Sequence, residues 1–201
     1  MGQLQKGRQY DEFLLESFES IIEKFEINSY VETGFRHAIY IEKLHNKYKH
    51  LFVGGAEIDS ACCECASGYL GKSSRSILEQ SDSVVFLRKH IGGFPSPILF
   101  FLDANTEGQG ARTPVQEELR CIADVCSKCV VVIHDFKNTR NTNHKGTISS
   151  IESISWFLEE KRHTALRFNY NSTYGWANVP VGAAFVWIGF TRKEVDNYQP
   201  N

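Results

Sequence analysis

The sequence predicts an α/β protein built on one doubly wound, seven-stranded, mainly parallel sheet with helices on both faces. Three observations carry this. From Asn28 onward short apolar runs alternate with helical stretches, the pattern of strands joined by crossover helices. Ile98 to Leu102 and Val130 to Ile133 are unbroken apolar runs, as expected of central strands covered on both faces. The last two apolar runs follow each other without an intervening helix, which makes the last strand antiparallel.

The elements follow in order. Leu14, Phe18, Ile21, Ile22 and Phe25 share one face at helical spacing, with Glu16, Glu19, Glu23 and Lys24 elsewhere. Residues 1–27 are therefore read as a lead-in helix packed on a domain of residues 28–201. "NSYVET" reads as strand, "HAIYIEKLHNKY" as helix, "HLFVGGAEID" as strand and "SACCECASGYL" as helix. "SRSILEQ" is a weaker strand, "SDSVVFLRKHI" a helix, "PILFFLD" a strand, "TPVQEELRCIADVC" a helix and "CVVVIHD" a strand. The helix "SSIESISWFLEEKR" precedes "HTALRFNY" and "VGAAFVWIGF", the closing strands. No repeat, low-complexity tract or linker divides the chain.

Composition narrows the function classes. At 201 residues the chain suits one sizeable core better than two. A formal charge of -2 lacks the basic footprint of nucleic-acid binding. No apolar signal core and no run of ~18 apolar residues is present, so neither a leader nor a membrane span is expected, and the chain reads as cytoplasmic. Gly2 opens a myristoylation-like start, but Lys6 stands where that motif takes Ser or Thr. The Asn171-Ser172-Thr173 sequon carries no meaning without secretion.

Six cysteines form two groups, Cys62, Cys63 and Cys65, then Cys121, Cys126 and Cys129. A zinc site would join the first group to the Cys126-x-x-Cys129 pair. Adjacent Cys62 and Cys63 point in different directions from a helix, and Cys129 begins a buried strand. Free thiols used as small apolar fillers are the reading that suits this arrangement.

Ligands of open α/β sheets bind beyond the carboxyl ends of the strands. Asp103 and Asp135 follow the two central runs, so they are expected at one rim with Glu32, Gly34 and Glu57. Glu57 follows Gly34 by roughly the ~20 positions expected of an acid that accepts ribose hydroxyls. Asp59 competes for that role, and as a helix N-cap before Ser60 it has a structural explanation.

These stretches resemble the class I S-adenosylmethionine-dependent methyltransferases, and among them small O-methyltransferases, over about residues 28 to 190. The first motif of that family, strand then E-x-G-x-x-x-G, is similar to Glu32, Gly34 and Ala38 in "VETGFRHA". Phe35, Arg36 and His37 are the departure, either pointing outward or filling space that methionine or ribose would need. "SDSVVFL" is similar to the family's Gly-Asp-Ser before an apolar helix, which implies Asp82 at the adenine amino group and Ser83 beside it. A plain helix cap explains the same residues.

"ILFFLDANTEGQGARTPVQEELRCI" followed by "VVVIHDF" looks like the family stretch whose strand-end acids frame the acceptor site. The resemblance implies S-adenosylmethionine as cofactor, contacted by Glu32, Gly34, Glu57, Asp82, Ser83 and Asp103. It also implies Mg²⁺ on Asp103 and Asp135, hard oxygen ligands on adjacent strands. Asn105 and His134 depart from the family's metal pattern. The competing role of the two aspartates is helix capping or pairing with Lys137 or Arg140.

The implied reaction is in-line methyl transfer to a small hydroxyl-bearing or sugar-like acceptor. Its proton would leave to His134, whose ordinary pKa is ~6.5, or be acidified by the metal. His134, Asp103 and Asp135 are thus the catalytic candidates. The polar loop with Lys137, Arg140, His144 and Lys145 could close over an anionic or sugar acceptor. Tyr170, Tyr174 and Trp176 could wall it. A homodimer is compatible with this reading. The alternatives are a binding or regulatory module that kept the fold and lost the cofactor, and a nicotinamide enzyme, which the missing G-x-G-x-x-G disfavours.

Overall fold

The computed structural model describes residues 10–70, 73–104, 114–136, 150–169 and 182–198. Asn105, Lys137, Arg140, His144, Lys145, Tyr170, Asn171, Tyr174 and Trp176 lie outside them, as do Gly2 and Lys6.

Strands β1 (Ser29–Thr33), β2 (Phe52–Glu57), β3 (Ser76–Gln80), β4 (Ile98–Leu102), β5 (Cys129–Phe136), β6 (Ala165–Asn169) and β7 (Gly182–Ile188) form one sheet in the order β3-β2-β1-β4-β5-β7-β6. All neighbours pair parallel except β7, which runs antiparallel to both β5 and β6. The seven strands and the antiparallel last strand agree with the sequence reading. The order reverses direction between β1 and β4, so their carboxyl ends flank a topological switch point where ligands of such sheets bind.

Helices cover both faces because crossovers place them there. On one face α1 (Glu12–Lys24) and α2 (Ile39–Lys47), with Ala66 of α3 (Ser60–Leu70), pack on Tyr30, Val53, Phe101, Val130 and Trp187. On the other, α4 (Ser83–His90), α5 (Val115–Val125) and α6 (Ile151–Glu160) pack on Val31, Phe100, Val131 and Val186. Successive strand residues alternate between these clusters, as the two-residue period requires.

The lead-in helix is part of the core. Asp11 caps α1, accepting from the amides of Phe13 and Leu14, and Leu14, Phe18, Ile21 and Ile22 are buried. A short helix that the sequence reading lacked, α7 (Arg192–Asp196), follows β7. Its signal is a reciprocal capping box between Thr191 and Glu194.

Two local features shape the carboxyl-end rim. Gly34 has φ +72°, and a Cβ there would stand 2.6 Å from Asp103 O and 2.8 Å from Ala104 Cα. Gly34 is therefore needed for the close approach of the β1 turn to the end of β4. In β5 the pairing register with β7 shifts between Ile133 and Phe136, and Asp135 has φ +49°. The strand thus runs one residue past Asp135, with a bulge at His134 and Asp135. A regular strand would send those neighbours to opposite faces, whereas a bulge re-aims one of them.

Candidate functional site

The strand periodicity places Glu32, Asp103 and His134 on the α1/α2 side of the sheet, each two residues beyond a buried aromatic or aliphatic residue of that face. His134 Nδ1 lies 2.8 Å from Asp103 Oδ1 and 3.5 Å from Asp135 Oδ1. The bulge is what lets both neighbours of β5 meet the end of β4. The Phe101 ring stands edge-on to His134 with centroids 5.6 Å apart, fixing the imidazole from below.

Charge dominates this rim. Burial alone would push His134 down, but the Asp103 carboxylate, its hydrogen bond and Asp135 outweigh that and hold it up at about 9. At neutral pH His134 is an imidazolium paired with Asp103. Burial pushes the Asp103 carboxyl up and the His134 charge pulls it back; the ion pair is favoured because both groups stand at hydrogen-bond distance. Glu32 is buried beside them, accepts from Tyr30 Oη at 3.0 Å, and is raised well above the usual carboxylate range by burial.

Asp103, His134 and Asp135 each offer a ligand atom, all within 4.8 Å of one another, the only such group among the described residues. Two carboxylate oxygens and an imidazole nitrogen suit a divalent cation once the His134 proton is released. The cysteines do not gather in this way. Cys62, Cys63 and Cys65 are half-buried on α3, while Cys121, Cys126 and Cys129 are buried on α5 and at the start of β5.

Glu57, at the end of β2, is heavily engaged. Its Oε1 accepts from the amides of Ile58 at 2.8 Å and Asp59 at 3.0 Å, and its Oε2 from Arg36 at 2.8 Å. A carboxylate has about four acceptor directions, so room remains for one hydroxyl. The "VETGFRHA" turn is wound tightly, with Gly34, Arg36 and Ala38 all at positive φ. Phe35 neither points outward nor enters the rim: it is buried against Gly55 and Ile41. Arg36 is exposed and His37 half-buried.

Asp82 caps α4 by accepting from the amides of Val84 and Val85. Ser83 is buried on the opposite sheet face, beside Glu118 of α5. Asp59 accepts from Cys62 N, the capping contact expected of it. The structure thus gathers Glu32, Asp103, His134 and Asp135, keeps Gly34 and Glu57 at the same rim, and gives Asp82 and Ser83 structural partners near it.

Three residues emerge that the sequence reading did not single out. Asp11 and Tyr40 meet over the α1/α2 face, where Tyr40 Oη accepts from Asp11 N at 3.0 Å. Glu118 is buried at 1% exposure, and burial raises its pKa to about 7 although Ser83 and Thr33 pull it back. Its Oε1 has no hydrogen-bond partner among the described residues, so desolvation outweighs those hydroxyls. Its signal was legible: Val115, Glu118, Leu119 and Ile122 form one helical stripe, with a carboxyl in an apolar row.

A cleft of about 660 Å³, between Asn28, His50, Pro97 and Lys128, opens at the opposite, amino-terminal rim and includes none of these acids. No helix among the described residues is long and apolar enough to cross a membrane.

No protein-family model matches the chain, and no curated protein sequence matches it. Solved structures do. The methyltransferase domain of bacterial CtHen1 superposes with a TM-score of 0.60 at 14% identity, covering 88% of this chain and 98% of that one. A protein assigned as an O-methyltransferase from Klebsiella pneumoniae gives 0.60 at 13% identity, covering 92% and 83%. The plantazolicin methyltransferase BamL, solved with a triazolic desmethylPZN analog and S-adenosylhomocysteine, gives 0.58 at 10% identity, covering 89% and 84%. At such identities the likeness is one of fold.

Proposed function

From a chain with the class I methyltransferase fold, we propose an S-adenosylmethionine-dependent methyltransferase acting on a hydroxyl of a small, sugar-like acceptor, with Mg²⁺ assisting. The observation that carries the reading is the convergence of Asp103, His134 and Asp135, with Glu32 and Glu57, at the switch point between β1 and β4. Acidic side chains outnumber the one imidazolium at this rim, which favours a cationic ligand, and the cofactor's sulfonium and ammonium groups are cations.

In this reading Glu57 holds a ribose hydroxyl with its remaining acceptor direction, and Gly34 lets the turn lie close to the cofactor. When bound, S-adenosylmethionine supplies an electrophilic methyl group, so this chain's residues contribute alignment and exclusion of water. Because His134 is held as an imidazolium up to about pH 9, it is a poor base while paired with Asp103. Its raised pKa counts against direct proton removal by His134; Asp103 and Asp135 would hold a cation only in exchange for the His134 proton, and that cation would then acidify the acceptor hydroxyl.

The test is calorimetric titration of the full chain with S-adenosylmethionine and S-adenosylhomocysteine, with and without Mg²⁺. Saturable binding supports the cofactor assignment, and tighter binding or turnover with Mg²⁺ supports the paired aspartates. A second reading, a module that kept the fold and gave up the cofactor, is favoured by one observation. Three backbone amides already engage Glu57, with the turn closed upon it. Absence of binding under every condition would select it.

A further inference from the structure

The thiols left unused by the methyl-transfer reading carry a separate inference. Cys126 ends α5 as its C-cap and Cys129 opens β5, with only Ser127 and Lys128 between them. Both side chains are buried, Cys126 at 6% exposure and Cys129 at 0%, and both pack in the same apolar cluster under α5 and α6.

The connection between them is held on several sides. Ser96 Oγ donates to Lys128 O at 3.2 Å. Lys128 Nζ sits 4.6 Å from the centre of the Phe190 ring and 3.6 Å from Glu194 Oε1. A Cβ at Gly189 would fall 2.0 Å from Ser127 O, so the turn lies directly on that glycine. Cys129 is itself paired with Ile98 and Ile188 across the sheet. A turn held in this way keeps two thiols at C-x-x-C spacing within one buried cluster, the proximity that a disulfide requires.

Their acidities also divide. The Cys129 side chain lowers Cys126 against the opposing effect of burial, and the Lys161 charge assists, whereas Cys129 is raised well above the usual thiol range. Cys126, the slightly exposed sulfur, is the one that an oxidant reaches first.

We propose that Cys126 and Cys129 form a dithiol redox site that a small peroxide converts to an intramolecular disulfide. The Cys126 thiolate attacks one peroxide oxygen, the O–O bond breaks, and hydroxide leaves to become water, giving a sulfenic acid. The Cys129 sulfur then displaces that oxygen: the S–S bond forms, the S–O bond breaks, and the thiol proton departs with the oxygen as a second water. Two thiols and one hydrogen peroxide become one disulfide and two waters. The slight exposure of Cys126 suits an oxidant of this size better than a bulky disulfide. An external dithiol reverses the change.

The test treats the full chain with hydrogen peroxide, alkylates the remaining thiols in denaturant, and maps tryptic peptides. Cleavage after Arg120, Lys128 and Lys137 separates Cys126 from Cys129. Peptides 121–128 and 129–137 are expected as a linked pair, about 2 Da lighter than their reduced sum and parted by dithiothreitol, with fragmentation placing the link at Cys126 rather than Cys121. In Cys129→Ser, Cys126 should stop at a sulfenic acid that dimedone traps, with a far-ultraviolet circular dichroism spectrum matching the parent. Full alkylation of Cys126 and Cys129 after peroxide, or links confined to Cys62, Cys63, Cys65 or Cys121, overturns the proposal.

Discussion

Phe35 and Gly34 stand side by side in the β1 turn and answer to different forces. Phe35 fills the space above Gly55, so Phe35→Ala should cost about 3–5 kcal/mol in a urea unfolding titration, as a large buried aromatic does. A loss under ~1 kcal/mol would mean that Phe35 is not core. Gly34→Ala would force both a left-handed backbone and a 2.6 Å contact with Asp103 O, and a loss of about 2–4 kcal/mol is expected. Glu57→Ala is the functional counterpart. It should weaken S-adenosylmethionine binding, read by calorimetry, while the circular dichroism spectrum stays unchanged. Unchanged affinity in the folded variant refutes the ribose assignment. These roles differ in legibility. The glycine and the acid were readable from spacing, but Phe35 could have pointed anywhere, because only the empty site at Gly55 across the sheet decides its direction.

At the scale of elements, α4 shows how a cap and a ligand contact compete for one residue. Asp82 accepts from two amides of the first turn, so Asp82→Ala should lower stability by about 1 kcal/mol. If capping is its whole role, cofactor affinity of the folded variant stays at the parent value; a drop of tenfold or more would restore the adenine assignment. Strand β5 offers the contrasting case. Its apolar run was plain in the sequence, yet the bulge was not, since nothing in "VIHDF" distinguishes a strand ending at Asp135 from one that kinks and continues to Phe136. Pairing with β7 creates that distinction, and with it the meeting of His134, Asp135 and Asp103.

For the whole molecule, buried titratable groups set the response to pH. Glu118, raised from an ordinary 4.5 to about 7, binds its proton more tightly folded than unfolded. The stability this contributes is full below about pH 4.5 and is lost as pH rises through 7, a change on the order of 3 kcal/mol. His134, raised from 6.5 to about 9, contributes stability that is full below about pH 6.5 and is lost through 9. Both slopes have one sign, so thermal stability should decline from about pH 5 to pH 9. His45, pushed down by burial and then Arg75, opposes them by losing stability at lower pH. Glu118→Gln should flatten the lower part of the decline, and Asp103→Asn the upper part by releasing His134 to titrate lower. A parent melting temperature that rises between pH 5 and pH 9 would contradict the assignment.

The sequence by itself determined the alternation of strands and helices, the buried centre of the sheet, the antiparallel finish and the rim on which the acids fall. Those properties follow from periodicity and chain order, which are written residue by residue. Tertiary structure decided what each rim residue does. Glu57 and Arg36 are 21 positions apart, Asp103 and His134 31 apart, and each pair meets only because parallel strands bring distant segments into register. Burial of Glu118 and pairing of His134 then shift their charges, since desolvation and Coulomb attraction depend on distances in space that no local pattern encodes.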